Sequence, residues 1–343
     1  MSILRTARGL ADRPRNITSP SPNPSRTVCV VIACFDVQRF DLLIRAIQSV
    51  RDQDYLHELT VVVDYNEDLY LRVLSAVPRD VSVIRNTRSR GAAGARNTAA
   101  LMSACALVAF LDDDAHAHEG WLRSLAGAMD QVGVVGVGGP ILPRWQEDRP
   151  RWFPPEFEWA VGVGPTIPGA GPTTFPVRNV WSGSMMVDRV AFQKVNGFRE
   201  DLCKVGSSAQ PEDTELCLRI SHVYGAAGQW LMVPSAVVDH HVPAYRATLR
   251  YVVDRCWSEG NGKIRMRALC ADHRRALSNE RVYLSSTIPR AIWDGVVESL
   301  RLWSPDGLLR AGTILLGVGA AISGALAAVI GGPRVRSRHG EHT

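Results

Sequence analysis

Between residues 28 and 114 the chain alternates short β-branched apolar runs with segments of helical periodicity, and that alternation leaves few folds open. The apolar runs are TVCVVIACF, LTVVVDYNED, DVSVIRN and ALVAFLDDD. Between them, RFDLLIRAIQSVRDQ, LYLRVLSAV and GAAGARNTAALMSA space apolar or small residues at helical intervals. The first run is apolar throughout, as a strand covered on both faces requires. Strand–helix repetition of this kind predicts an α/β protein with a mostly parallel sheet and right-handed crossovers. Ligands of such sheets sit beyond the carboxyl ends of the strands. Two acidic stretches fall there: Asp64 with Glu67 and Asp68, and Asp112-Asp113-Asp114.

After residue 140 the pattern changes. The segment ILPRWQEDRPRWFPPEFEWAVGVGPTIPGAGPTTFPV, rich in Pro, Gly and aromatics, predicts a long ordered loop over the site. VWSGSMMVDRVAFQKVNGF predicts a strand and a short helix. QPEDTELCLRISHVYG predicts a helix whose first turn suits Pro211 and the acids, and QWLMVPSAVVDHHVP a further strand region. Residues 246–308 are mostly helical in pattern and basic, with Trp257, Trp293 and Trp303 spread through them. Residues 311–332 contain no charge and are long enough to cross a bilayer core. Membrane insertion or close membrane association is the expectation; a buried helix of a soluble domain is the alternative. Arginines on both flanks leave the orientation undecided.

The expected organisation is a disordered basic tail (1–26), a catalytic domain (27–245), a helical extension (246–308), a membrane-associated or transmembrane helix (309–332) and a second basic tail (333–343). The first tail has no apolar core of signal-peptide type. The cysteines, 7 in number, form no CxxC pair, which argues for a reducing compartment and against a disulfide framework or zinc finger. The catalytic part is therefore expected in the cytoplasm, anchored at the inner (plasma) membrane by its C-terminal segment. Dispersed basic residues and an acidic candidate pocket argue against nucleic acid as a partner.

Adjacent ionised carboxylates repel one another, and burying them is costly without compensating positive charge. A divalent cation is the usual compensation. Oxygen ligands favour Mg²⁺ or Mn²⁺, which leave coordination positions for substrate phosphates; a solvated acidic turn is the alternative. Asp64 at a strand end can accept hydrogen bonds from a nucleotide base or ribose, or serve simply as a turn former. The Glu212-Asp213 pair complements a helix dipole, worth about 0.3–1 kcal/mol, and beside a metal site either acid is a candidate general base. Glu215 on the same helix could fill that role instead.

VVIACFD, VVVDYNED, RGAAGARNTA, FLDDDAHAHEGW, GSMMVDRVAFQKVNGF and PEDTELCLR together resemble the inverting family 2 glycosyltransferases of the GT-A fold, in order and approximate spacing, over residues 27–245. The resemblance implies that Asp64 and the backbone of Ala33, Cys34 and Phe35 contact the nucleotide base. It implies that Asp112, with its neighbour Asp113, lies at the nucleotide, and that Asp114 binds the metal on the diphosphate. Asp213 is implied as the base that deprotonates the acceptor, with Glu212 orienting the site. Arg96 faces the nucleotide or pairs with an acid. His240 corresponds to a metal or phosphate ligand of some relatives, or is a structural histidine. Trp181-Ser182-Gly183 lines the acceptor side, or Trp181 is a core residue.

The chain departs from the family at Ala33-Cys34-Phe35-Asp36 and Asp64-Tyr65-Asn66-Glu67, which bears on base preference. Arg255 and Trp257 are similar to the Arg-Trp of processive polysaccharide synthases, but the full motif and their multiple spans are absent, so single addition is expected. The implied reaction is metal-dependent transfer of a sugar from a nucleotide-diphosphate donor to a hydroxyl or phosphate, with a membrane-held glycan or lipid carrier as acceptor. The alternatives are a non-catalytic nucleotide-sugar-binding protein and a sugar nucleotidyltransferase; ACFDVQRF offers no Gly-rich phosphate loop for the latter.

Overall fold

The computed structural model describes residues 26–164, 173–202, 211–270 and 276–331. Apart from Arg26, both expected basic tails lie outside the described residues. The alternating runs become β1 (Val28–Cys34), α1 (Phe40–Arg51), β2 (His57–Val63), α2 (Glu67–Ala76), β3 (Val81–Arg85), α3 (Ala92–Ala100) and β4 (Leu107–Asp112). The chain continues through β5 (Ala115–Ala117), α4 (Trp121–Ala128), β6 (Val134–Gly138), β7 (Ile141–Trp145), β8 (Phe175–Val177), β9 (Ser184–Asp188), α5 (Arg189–Lys194), α6 (Glu212–Tyr224), β10 (Gln229–Met232) and β11 (Val238–Val242). Helices α7 (Leu249–Leu269), α8 (Ser278–Val282), α9 (Ile288–Leu302) and α10 (Asp306–Ile330) complete it.

The main sheet has the order β3-β2-β1-β4-β9-β6-β10-β8. Strands β3, β2, β1 and β4 are parallel, as the helical crossovers demand. Strand β9 runs antiparallel between β4 and β6, with Phe110 opposite Met185 and Leu111 opposite Ser184. Central β1 is buried on both faces: Val30 and Ile32 pack with Leu43 and Ile47 of α1, while Val31 packs with Ala93 and Ala95 of α3. Small residues let α3 approach closely. A Cβ on Gly94 would lie 1.9 Å from the Ser89 carbonyl oxygen, so no larger residue fits there.

The segment expected to be one long loop carries more structure than its Pro and Gly content suggested. It contains β7, a 3-10 turn over Pro155–Val161, and β8. QWLMVPSAVVDHHVP likewise splits between two sheets, β10 in the main one and β11 in a small one of order β5-β11-β7. Periodicity cannot register such a switch, because each strand alone reads as a short apolar run.

Helix α7 folds back on the 3-10 turn, where Arg246 and Arg255 donate to the carbonyls of Val161 and Ala160. It also packs along α10 through glycines. A Cβ on Gly260 would lie 1.9 Å from the Ala321 carbonyl oxygen, and one on Gly324 would lie 2.0 Å from that of Trp257. Backbones in such contact have no room for a side chain. Gly324→Leu is therefore expected to destabilise the fold by about 1–3 kcal/mol despite its better helix propensity. The check is a thermal melt, with Tm falling about 2–4 °C per kcal/mol in a chain of this size.

Candidate active site

The carboxyl ends of β1, β2 and β4 form the floor of the site. Asp64 follows β2 and is buried, but both its oxygens already serve the scaffold. Oδ1 accepts from Asn86 Nδ2 at 2.6 Å and Oδ2 from the Gly91 backbone N–H at 2.8 Å, bracing the turn into α3. Cys34 turns its thiol into the core toward the Val62 carbonyl, and burial raises its pKa well above the ordinary value. Of Ala33, Cys34 and Phe35, it is therefore the backbone edge and the exposed Phe35 ring that are left at the end of β1. The Phe35 carbonyl accepts from Asn66 Nδ2, and Asn66 in turn caps α2.

The aspartates at 112–114 diverge because the strand ends there. Asp112 accepts from Arg96 Nη2 at 2.7 Å. Arg96 is buried, and its Nη1 lies 3.5 Å from Glu212 Oε1, so this guanidinium ties the end of β4 to the first turn of α6. Arg96 pairs with acids here, at the strand end where the resemblance implied the nucleotide. Asp113 and Asp114 share Arg39, whose Nη1 is 3.0 Å from Asp113 Oδ1 and 2.9 Å from Asp114 Oδ2. Burial and the Asp114 charge push the Asp113 carboxyl up to about 7. Burial would also raise Asp114, but His240, Arg39 and Arg246 outweigh it and hold this carboxyl well below the usual range.

Pairing in the small sheet brings His240 to this cluster. Strand β5, directly after the aspartates, pairs antiparallel with β11 so that Ala115 is opposite His240. His240 thus lies within β11 rather than after the last strand, and its Nε2 is 3.2 Å from Asp114 Oδ1. The His241 backbone N–H donates to the Asp114 carbonyl at 2.9 Å, fixing the register. Gly162, at φ 93°, passes over the imidazole; a Cβ there would meet His240 Cε1 at 2.8 Å.

Asp112, Asp114 and His240 each offer a ligand atom, all within 4.8 Å of one another. Asp114 Oδ1 is buried beside His240 Nε2 at 3.2 Å, and His240 Nδ1 is buried with no hydrogen-bond partner among the described residues. Two carboxylates and an imidazole form a donor set suited to Mn²⁺ and acceptable to Mg²⁺. The residues present therefore fit a divalent cation.

The antiparallel course of β9 places the turn before it at the same strand end. Ser182 and Gly183 are buried, Trp181 half-buried, and a Cβ on Gly183 would meet Asp112 Oδ2 at 2.9 Å. Trp181-Ser182-Gly183 is thus brought beside the acidic cluster. At the start of α6, Glu212 faces Arg96, while Asp213 accepts from the Thr214 backbone N–H at 2.6 Å. Burial raises the Asp213 pKa, with the Lys263 charge on α7 opposing the shift. Glu215 is committed elsewhere, in an ion pair with Arg219 at 2.7 Å.

Sequence reasoning missed Arg39, Arg246 and Lys263. Arg39 lies in a 3-10 turn after β1 and Arg246 in one after β11, with Arg246 Nη2 3.7 Å from Asp114 Oδ2. Lys263 sits between Glu259 at 3.3 Å and Glu280 at 3.0 Å, and Glu280 also takes a bidentate pair from Arg178. None belongs to a motif, and tertiary structure alone brings them in.

An acidic cluster at the carboxyl ends of the parallel strands, tied through Arg96 to Glu212 on α6, is an arrangement of the glycosyltransferase class. The family model for glycosyl transferase family 2 matches residues 29–195. A glucosyl-dolichyl phosphate glucuronosyltransferase of Haloferax volcanii is 30% identical over 242 residues, 69% of this chain and 76% of that protein. The chain belongs to glycosyltransferase family 2. A pre-mycofactocin glycosyltransferase of Mycobacterium tuberculosis is 28% identical over 165 residues, covering 47% of this chain and 32% of that protein. A mannosyltransferase from Pyrobaculum calidifontis, solved in complex with GDP-Man and Mn²⁺, superposes with a TM-score of 0.55 at 16% identity, covering 90% of this chain and 89% of that one. That last likeness concerns the fold alone.

Proposed function

We propose that the enzyme moves a sugar from a nucleotide-diphosphate donor, with inversion, to a hydroxyl or phosphate of an acceptor held on a membrane lipid carrier. The observation that carries the metal-dependent part is the convergence of Asp112, Asp114 and His240, whose candidate ligand atoms all lie within 4.8 Å of one another. The lipid-linked acceptor is supported by the relative that uses a dolichyl phosphate and by the apolar C-terminal helix. The unit over 27–245 is taken as the catalytic domain, on the cytoplasmic side of the membrane, with 246–308 and 309–332 as its membrane-proximal extension.

Asp114, Asp112 and His240 would hold the cation. When bound, a divalent cation there supplies Lewis-acid stabilisation of the leaving diphosphate. Asp64, Asp113, Arg96 and the edge of Ala33, Cys34 and Phe35 border the nucleotide; Asp64 still has lone pairs beyond those used by Asn86 and Gly91. Trp181, Ser182 and Gly183 line the acceptor side. Asp213 takes the acceptor proton as the acceptor oxygen attacks the sugar carbon from the face opposite the leaving group. Its raised pKa makes it a better proton acceptor than an ordinary carboxylate. Glu212, held by Arg96, orients the first turn of α6.

Calorimetry with UDP, GDP and their sugars, in Mn²⁺ or EDTA, tests this reading. One nucleotide is expected to bind in Mn²⁺ and not in EDTA. Absence of nucleotide binding in both overturns it.

A further inference from the structure

We propose that α9 and α10 form a helical hairpin that lies in the plane of an anionic bilayer surface, and that α10 does not cross the bilayer. The inference takes from the functional reading only that the chain works at a membrane, and it holds whichever sugar is transferred.

Helix α10 meets the length requirement for a span: its 25 residues extend about 37 Å, against a hydrocarbon core of about 30 Å. It is not a core helix, because only 28% of its most apolar stretch is buried. What prevents it from spanning is its partner. Along α10, Gly317, Ala321 and Gly324 meet Cys256, Gly260 and Trp257 of α7, so the two helices run side by side with backbones in contact. The Asn261 side chain donates to the Gly324 carbonyl at 3.2 Å. A perpendicular span would carry this stretch of α7 into hydrocarbon with it, including Asp254, Glu259 and Lys263. Asp254 is 72% exposed, and chains do not place such groups toward lipid. Helix α7 is also fixed to the catalytic body by Arg255 and, through the turn that precedes it, by Arg246.

An in-plane arrangement meets no such obstacle. The outward side of α10 carries Leu308, Leu315, Ile322 and Val329 at intervals of seven residues, each more than half exposed. Helix α9 packs against α10 through Gly295 and Gly307. It adds Trp293, 67% exposed, and the turn between the two helices adds Trp303, 95% exposed. Tryptophans beside an aliphatic stripe suit the headgroup boundary.

Charge selects the occupant. Arg290 and Arg301 on α9 and Arg151 on the adjoining loop are exposed, and Arg334, Arg336 and Arg338 follow α10 in the sequence. On the two helices Arg290, Arg301 and Arg310 balance Asp294, Glu298 and Asp306, so the positive surplus around the uncharged stripe comes from Arg151 and from the three arginines that follow α10 in the sequence. That combination fits anionic lipid better than a second copy of the same basic surface.

The test uses the full chain with phosphatidylcholine vesicles, with and without phosphatidylglycerol. Flotation is expected to depend on phosphatidylglycerol. Thiols introduced by Ser304→Cys and Gly331→Cys, one at each end of α10, are both expected to react with a membrane-impermeant maleimide added outside, as read peptide by peptide by mass spectrometry. Protection of one end shows a span and overturns the proposal. Absence of flotation overturns it too. Leu315→Glu combined with Ile322→Glu is expected to lower vesicle partitioning by about tenfold or more while Mn²⁺-dependent nucleotide binding is unchanged. If that variant instead dissociates a dimer in sedimentation and leaves flotation intact, the face belongs to a second copy and the proposal fails. Nucleotide binding, measured on the same samples, reports separately on the transferase reading.

Discussion

Asp114→Ala is expected to weaken Mn²⁺-supported nucleotide binding by more than about 100-fold, since loss of a proposed ligand should exceed the 10–100-fold cost typical of outer-shell changes. It also lowers folding stability by about 3–5 kcal/mol, the cost of stripping one partner from a buried ion pair. Both effects have the same structural origin. Asp114 is the point where Arg39, Arg246 and His240 converge, and removing its charge takes the shared carboxylate from the Arg39 and Arg246 guanidiniums. Calorimetry reads the first effect and chemical denaturation the second. Asp114→Asn keeps the shape and separates them: it should cost less stability and nearly as much binding. The folded-state pKa of Asp114 is depressed, so its contribution is present above the unfolded value of about 3.9. That contribution is lost only as pH falls through the much lower folded value, in strong acid. At neutral pH wild type keeps it in full. Unchanged nucleotide affinity in Asp114→Ala would remove Asp114 from the binding site.

Asp213→Asn is expected to lower kcat by about a hundred- to ten-thousand-fold while leaving nucleotide affinity within about twofold of wild type, because a general base acts on the acceptor and not on the donor. The pH profile adds a sharper mark. Burial raises the Asp213 pKa, and the base works only when ionised, so the rate should rise with pH along a limb displaced above the ordinary carboxylate range. Lys263 opposes that shift. Lys263→Met should therefore move the limb to still higher pH, whereas a lysine that merely fills space would leave it in place. A kcat in Asp213→Asn close to wild type would transfer the role to Glu212 or eliminate it.

The parts of this site that sequence made legible are those encoded locally. Asp64, Asp112 and Asp114 stand at strand ends; the apolar runs before them mark the strands, and the helical segments between them imply parallel pairing. The Glu212-Asp213 pair opens a helix in a recognisable way. What remained illegible depends on pairing across the chain. His240 joins Asp114 only because β5 and β11 share a three-residue register. Arg39 and Arg246 are arginines in short turns, with nothing local to distinguish them from solvated ones. The antiparallel insertion of β9 was equally hidden, since a strand's direction within a sheet leaves no trace in its own residues. It is this reversal that brings Trp181, Ser182 and Gly183 to the acidic cluster. The C-terminal segment shows the same divide: its apolar length was readable, and the glycine contacts that bind it to α7 were not.

Helix α7 holds two responsibilities within a single turn. Gly260 touches the backbone of α10, and Lys263 lends its charge to the neighbourhood of Asp213. A helix has no hinge between residues so close together. With Asp213 as the base and α10 on the lipid surface, as proposed, this one rigid rod would set the height of that carboxylate above the headgroups. Such a rod would favour acceptors whose reactive oxygen stands at that same distance from the headgroups.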